Sequence, residues 1–234
     1  MTDDDFATRV SRLSALAEPA RRALYRYVVA QPGPVSRDQA GEGVGVPRHT
    51  AKFHLDRLVE EGLLTTEFRR LTGRSGPGAG RPTKLYRRSQ DEVAVSVPER
   101  HYDLAGQLMA AAIESATSGR TDVIAELHRV AAHHGTAVAE EATQRSGARR
   151  GRVRRLAAVG ETLAEHGYQP RLDGKVLTLT SCPFHALARD HTQLVCGMNL
   201  ALLAEVADAT GLIATLDPAP DRCCVVLSAD RAGD

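Results

Sequence analysis

An α+β fold in three parts is what this sequence of 234 residues predicts, and three features of it carry that reading. Residues 6–62 place apolar side chains at helical spacing, and two strand-like runs follow, Leu63 to Leu71 and Thr83 to Arg88, separated by a Gly/Pro-rich loop. Residues 102–143 are Ala-rich with apolar positions at helical spacing, which predicts a central helical segment. Beyond Gly167 the pattern changes to short strands around one long apolar helix, and all four cysteines fall in that last stretch. The expected parts are residues 1–95, 96–145 and 146–234.

Composition narrows the functional classes. The N-terminus Met1-Thr2-Asp3-Asp4-Asp5 is acidic, and no apolar run approaches the roughly 20 residues that span a bilayer, so a cytoplasmic protein without a membrane partner is expected. In that reducing compartment four clustered cysteines are ligands or free thiols before they are disulfides. The formal net charge of +1 hides an uneven distribution: residues 1–100 carry 17 Lys and Arg against 13 Asp and Glu. From Arg48 to Arg88 there are ten basic residues and four acidic ones, a pattern that suits a phosphate backbone.

The front elements come in order. Phe6, Val10, Leu13 and Leu16 predict a first helix, and Glu18-Pro19 opens a second whose apolar face holds Ala23, Leu24, Tyr27 and Val28. Gln31-Pro32-Gly33-Pro34 stops it, and Ser36 is placed to cap a short helix through Ala40. Gly43-Val44-Gly45-Val46 then turns the chain before a longer helix that opens at Pro47-Arg48 and ends at Gly62. Short helix, turn and longer helix is the helix-turn-helix order.

In the longer helix Ala51, Leu55, Leu58 and Val59 face inward, which leaves Arg48, His49, Thr50, Lys52, Phe53 and Arg57 on or near the opposite side. A helix that reads the major groove needs this division, with an apolar side to lock its pose and polar residues to reach bases and phosphates. The hairpin after it, with Arg74 and Arg81 in its loop and Lys84 on its return strand, has the composition of a wing. The expected partner is a double-stranded DNA operator.

The stretch from Val46 to Leu64, VPRHTAKFHLDRLVEEGLL, resembles the recognition-helix segment of ArsR-type winged-helix repressors, and Gly80-Arg81-Pro82-Thr83-Lys84-Leu85-Tyr86 resembles the wing return of that superfamily. Together these motifs cover about a third of the chain, and they imply a DNA-binding regulator. Many relatives hold metals on the DNA-binding helices, a mode that the absence of cysteine from residues 1–181 puts aside here.

The second half reads differently. Leu104, Leu108 and Ile113, then Val123, Ile124, Leu127, Val130 and Val138, stand at core spacings on two helices, Tyr102 to Ala116 and Asp122 to Thr143. Their surplus of apolar surface predicts a homodimer, which would read an operator as two half-sites about 34 Å apart. His133-His134 reads as a polar stretch of helix, and the basic segment 147–155 as an exposed lead into a helix from Leu156 to His166. Tyr168 to Leu172 and Val176 to Thr180 form a hairpin turned at Asp173-Gly174.

That hairpin delivers Cys182-Pro183-Phe184-His185 to the mouth of a helix, where the dipole would favour a thiolate at Cys182 and where His185 shares its face. Were residues 183–196 one helix, Cys196 would lie roughly 21 Å from Cys182 along the axis, too far for a shared metal. A common site therefore requires a break in the polar run Arg189-Asp190-His191-Thr192, with a short helix from Pro183 to about Ala188 before it and a long one from about Gln193 to Ala209 after it, Cys196 lying in the first turn. Ile213 to Leu216 and Cys223 to Ser228 then read as paired strands. Adjacent residues of a strand face opposite ways, so one of Cys223 and Cys224 is expected to stand outside the site.

The spacing of Cys182, Cys196 and Cys223 behind a winged helix with Gly80-Arg81-Pro82 resembles the SufR-like repressors of iron-sulfur cluster assembly. That resemblance implies a homodimer with an iron-sulfur cluster, generally [4Fe-4S], on those three cysteines, and release of DNA when the cluster is lost. The fourth ligand is open among His185, Cys224, His191 and an exogenous molecule. Zinc on Cys182, His185, Cys196 and Cys223 also satisfies tetrahedral N/S preferences, and a metal-free thiol-redox or small-ligand regulator is a further alternative. No oxyanion-hole motif, phosphate loop or carboxylate pair accompanies Cys182 and His185, so no enzyme is expected.

Overall fold

The computed structural model describes residues 3–70, 82–147 and 151–229. The chain divides into two compact units, with the boundary between Val95 and Ser96.

The first unit opens with helix α1 (Asp3–Ser14), a single 3-10 turn (Ala15–Ala17) and helix α2 (Pro19–Ala30). Glu18 caps α2: its carboxylate accepts from the backbone N–H groups of Ala20 and Arg21, and Pro19 stands in the first turn, where it costs no hydrogen bond. Strand β1 (Val35–Ser36) leads into α3 (Arg37–Val44) through a reciprocal cap, with Ser36 Oγ accepting from the Gln39 N–H at 3.2 Å and Gln39 Oε1 from the Ser36 N–H at 2.9 Å. The helix runs on to Val44, beyond the expected end at Ala40, because Gly45 closes it in the left-handed conformation, at φ 74°.

Helix α4 (Arg48–Glu60) comes next, then β2 (Leu64–Arg69) and β3 (Thr83–Arg88), the two long antiparallel strands of a sheet ordered β1-β3-β2. Leu24, Val28, Leu55, Leu58, Leu64 and Tyr86 close the core between helices and sheet. On α1, Val10 and Leu13 stay about 40% exposed instead of joining that core.

The second unit holds α5 (Tyr102–Gly119), α6 (Val123–Ser146), α7 (Arg152–Glu165), β4 (Pro170–Asp173), β5 (Val176–Leu179), α8 (His185–Asp190), α9 (Thr192–Thr210), β6 (Ile213–Leu216) and β7 (Val225–Ser228). Its sheet is antiparallel in the order β4-β5-β7-β6. Residues 96–145 do not form a part separate from residues 146–234, since α5 and α6 share one core with α7, α9 and this sheet, built on Leu108, Leu127, Leu163, Leu177, Leu203 and Leu227. Three positions expected in the core, Ile113 on α5 and Val123 and Ile124 at the start of α6, are instead 44–54% exposed.

Helix α6 lies close against α9 at Gly135, where an added Cβ would overlap the Leu202 carbonyl oxygen. Backbone cannot yield there as a side-chain tip can, so Gly135→Ala is expected to destabilise the unit by about 1–3 kcal/mol, measured as a lower urea midpoint with an unchanged m-value.

Candidate functional site

The first surface of interest is the outer side of α4. Ala51, His54, Leu55 and Leu58 are buried, while His49, Lys52 and Phe53 are exposed, Phe53 by 65%. Thr50 is half-buried. Three of the expected contact residues are engaged within the unit: Arg48 meets Asp38 at 2.7 Å, Arg57 bridges Glu60 and Glu61, and Lys84 meets Asp56 Oδ1 at 2.7 Å. Arg74 and Arg81 lie outside the described residues.

The Lys84 contact belongs to a clamp between α4 and β3. Asp56 Oδ1 also accepts from the Tyr86 hydroxyl at 2.8 Å. Burial would raise the Asp56 carboxyl, but the hydrogen bonds from Lys84 and Tyr86 outweigh it and hold the group below its ordinary range. Lys84 thus positions the hairpin against the helix. His54, which sequence periodicity does not single out, is buried beside Arg21, whose Nε donates to Nδ1 at 3.4 Å, and lies 3.6 Å from Glu18 through Nε2. It ties α4 to the capped start of α2.

The second unit assembles the cysteines. Cys182 lies in the loop between β5 and α8, and Cys196 in the second turn of α9. His191 separates α8 from α9 with extended-side dihedrals, φ −134° and ψ 51°, so the break that a shared site requires is present. Cys223 and Cys224 precede β7 instead of opening it. The alternation of a strand therefore does not divide them. The thiols of Cys182 and Cys224 act on that of Cys223, and those of Cys196 and Cys223 on that of Cys224, so the four cysteines lie near one another.

One sulfur in this group is favoured as the thiolate. The neighbouring Cys182 and Cys224 thiols pull that of Cys223 well down against the opposing effect of burial, helped by the Val225 N–H at 3.5 Å and the Asn199 side-chain amide at 3.2 Å. The Cys223 thiol, together with burial, pushes Cys182 and Cys224 up. The expectation that a helix dipole makes Cys182 the thiolate does not hold, because α8 starts only at His185 and is six residues long, while the nearby Cys223 thiol and burial push Cys182 up.

His185 is exposed on α8, whereas Cys182 is 7% exposed. Cys224 is half-buried, and the Cys223 and Cys196 thiols both act on it, which couples it to the other thiols.

Asn199 is the residue that sequence analysis missed. It is fully buried on a helix of apolar residues, and its amide is satisfied on both sides: Nδ2 donates to Cys223 Sγ, and Oδ1 accepts from the buried Tyr168 hydroxyl at 2.5 Å. Burial, with the sulfurs nearby, raises the Tyr168 phenol and keeps it a donor. An amide three residues after Cys196, on the same helix face, was the available signal.

As donors, four sulfurs without a carboxylate suit a soft metal or an iron-sulfur cluster. Among the described residues no three His, Cys, Asp or Glu side chains stand as a ready-made metal cage. A soft metal binds such groups as thiolates, so seating one would release their protons and re-aim the side chains.

Comparison with known families places a helix-turn-helix domain at residues 16–67, which spans α2, α3, α4 and the start of β2. A domain of this class marks a DNA-binding transcriptional regulator, and the match is consistent with the ArsR-type regulators. No curated protein and no solved structure matches the chain. Among the described residues no helix is long and apolar enough to cross a membrane.

On this surface Lys52→Ala is expected to weaken duplex binding for all sequences and to reduce the slope of log K against log salt by about one, as measured by fluorescence anisotropy across a salt series.

Proposed function

We propose that the chain is a homodimeric repressor whose operator binding is controlled by an iron-sulfur cluster, of the [4Fe-4S] type, held by its C-terminal thiols. The single observation that carries this reading is the convergence of Cys182, Cys196, Cys223 and Cys224 on one site, in a chain whose other unit carries the helix-turn-helix domain. Cys182, Cys196 and Cys223 are the assigned ligands, and Cys224 replaces His185 as the fourth. When bound, the cluster supplies an oxygen- and redox-sensitive centre whose presence or loss is the signal. The chain's own part is to hold the sulfurs: Asn199 fixes the direction of Cys223, and Tyr168 fixes Asn199.

The nearness of the four cysteines to one another also favours a second reading, a mononuclear zinc in a tetrahedral thiolate site. Both readings place the metal on the same residues.

The homodimer is supported by apolar surface in the second unit. Ile113, Val123 and Ile124 are exposed, and an open groove of about 500 Å³ lies along α5 and α6 beside Leu104, Leu108, Ala111 and Val130. A second copy over these helices would bury that surface and present two recognition helices to two half-sites.

The test uses an operator selected from a random pool of duplexes and the anaerobically purified full chain. Removing the metal with a chelator is expected to weaken operator binding by a factor on the order of 5–150, with recovery after anaerobic addition of iron and sulfide. Equal affinity with and without metal would overturn the regulated reading.

A further inference from the structure

The loop that carries Cys182 is fastened to the segment by which the second unit begins. Val95 closes the DNA-binding unit and Ser96 opens the next, so residues 96–101 are the connector that enters α5. Three consecutive residues, the last two of this connector and the first of α5, reach the cysteine loop and the start of α8. Arg100 Nη1 donates to Ser181 Oγ at 2.7 Å and to the Cys182 carbonyl at 3.2 Å, while also bonding the Glu99 carbonyl at 3.2 Å. The His101 N–H donates to the Pro183 carbonyl at 3.1 Å. The Tyr102 hydroxyl accepts from the Ala186 N–H at 3.3 Å. The connector is itself braced, since the Arg100 N–H donates to Ser96 Oγ at 2.8 Å.

Ser181, Cys182, Pro183 and Ala186 are thus all bonded to residues 100–102, across more than eighty positions of sequence. Nothing in the folding of the connector alone requires this. The loop has no strand or long helix of its own, and the carbonyl of Cys182 accepts both from Arg100 and from the His185 N–H at 3.1 Å. If seating a metal or cluster on the Cys182 thiol shifts that carbonyl or the Ser181 hydroxyl, the guanidinium follows or loses its acceptors, and the chain that runs to Val95 is the part that feels it.

We propose that Arg100 is the coupling residue of this protein: a positioning residue that ties the Cys182 loop to the connector and so passes the occupancy of the thiol site to the DNA-binding unit. This rests on the proposed metal-controlled regulator. It adds a route that neither the helix-turn-helix resemblance nor the cysteine set contains.

The test compares operator affinity of the full chain in two states, stripped of metal and loaded by anaerobic addition of iron and sulfide, with zinc alone as a second probe. In the wild-type chain the ratio of the two affinities is the coupling, on the order of 5–150-fold. In Arg100→Gln the ratio is expected to fall toward one, while metal content per chain and the affinity of the stripped form stay at wild-type values. Arg100→Lys, which keeps the charge and donors without the planar fork, is expected to retain part of the ratio.

Ser181→Ala removes the acceptor of the shortest bond and provides a milder variant, expected to lower the ratio partway. A full ratio in both Arg100→Gln and Ser181→Ala overturns the proposal. Loss of metal from Arg100→Gln also overturns it, because Arg100 would then support the thiol site itself. A wild-type ratio of one removes the regulated reading and this inference together, so the two failures are told apart by which chain shows them.

Discussion

The break at His191 is the constraint on which the site depends. Without it, α8 and α9 would form one rod from His185, with Cys196 roughly 17 Å along the axis from the end that adjoins the Cys182 loop. With it, α9 is free to lie against α6 at Gly135, where only the absence of a side chain permits the approach to Leu202. That packing sets the height of Cys196 and Asn199 on α9. The β7 strand, paired between β5 and β6, then brings Cys223 and Cys224 to the same end of the core. Four sulfurs from three separate stretches of chain meet because helix packing, strand order and one broken helix agree.

The interior of that site is arranged electrostatically as well as sterically. A buried amide on a leucine-rich helix face costs free energy unless both its ends are satisfied. Asn199 meets that condition with sulfur on one side and a phenol on the other, so the network Tyr168–Asn199–Cys223 has one arrangement only. Its direction matters, because it aims a donor at the sulfur favoured as the thiolate. A similar economy governs the first unit, where Asp56 holds both Lys84 and Tyr86 and thereby sets the hairpin against α4.

Much of the fold is legible in the sequence because its local signals are chemical. Glu18-Pro19, Ser36 with Gln39, and Gly45 fix helix ends through caps whose partners lie within a few residues. The need for a break between Cys182 and Cys196 comes from helical rise alone. What the sequence hides depends on long-range placement. Strand alternation sets one of Cys223 and Cys224 aside only if both lie inside a strand, and the strand in fact starts at Val225. Spacing favours His185, yet it is exposed on α8 while the sulfurs of Cys182, Cys196 and Cys223 are buried. Arg100 carries no local signal at all, since its acceptors on Ser181 and Cys182 lie more than eighty residues away. Lys84, basic and near the hairpin, reads as a phosphate contact from sequence, but its bond goes to Asp56.

The central claim is that the converging thiols hold a metal centre, and the anaerobically purified chain tests it most directly through its visible spectrum and its iron, sulfide and zinc content. The account predicts a brown protein absorbing near 400 nm, with iron and sulfide in equal amounts that are lost together in Cys223→Ser. Stoichiometric zinc in a colourless protein would contradict the cluster and leave the tetrahedral reading. A chain free of iron, sulfide and zinc would contradict the metal centre altogether.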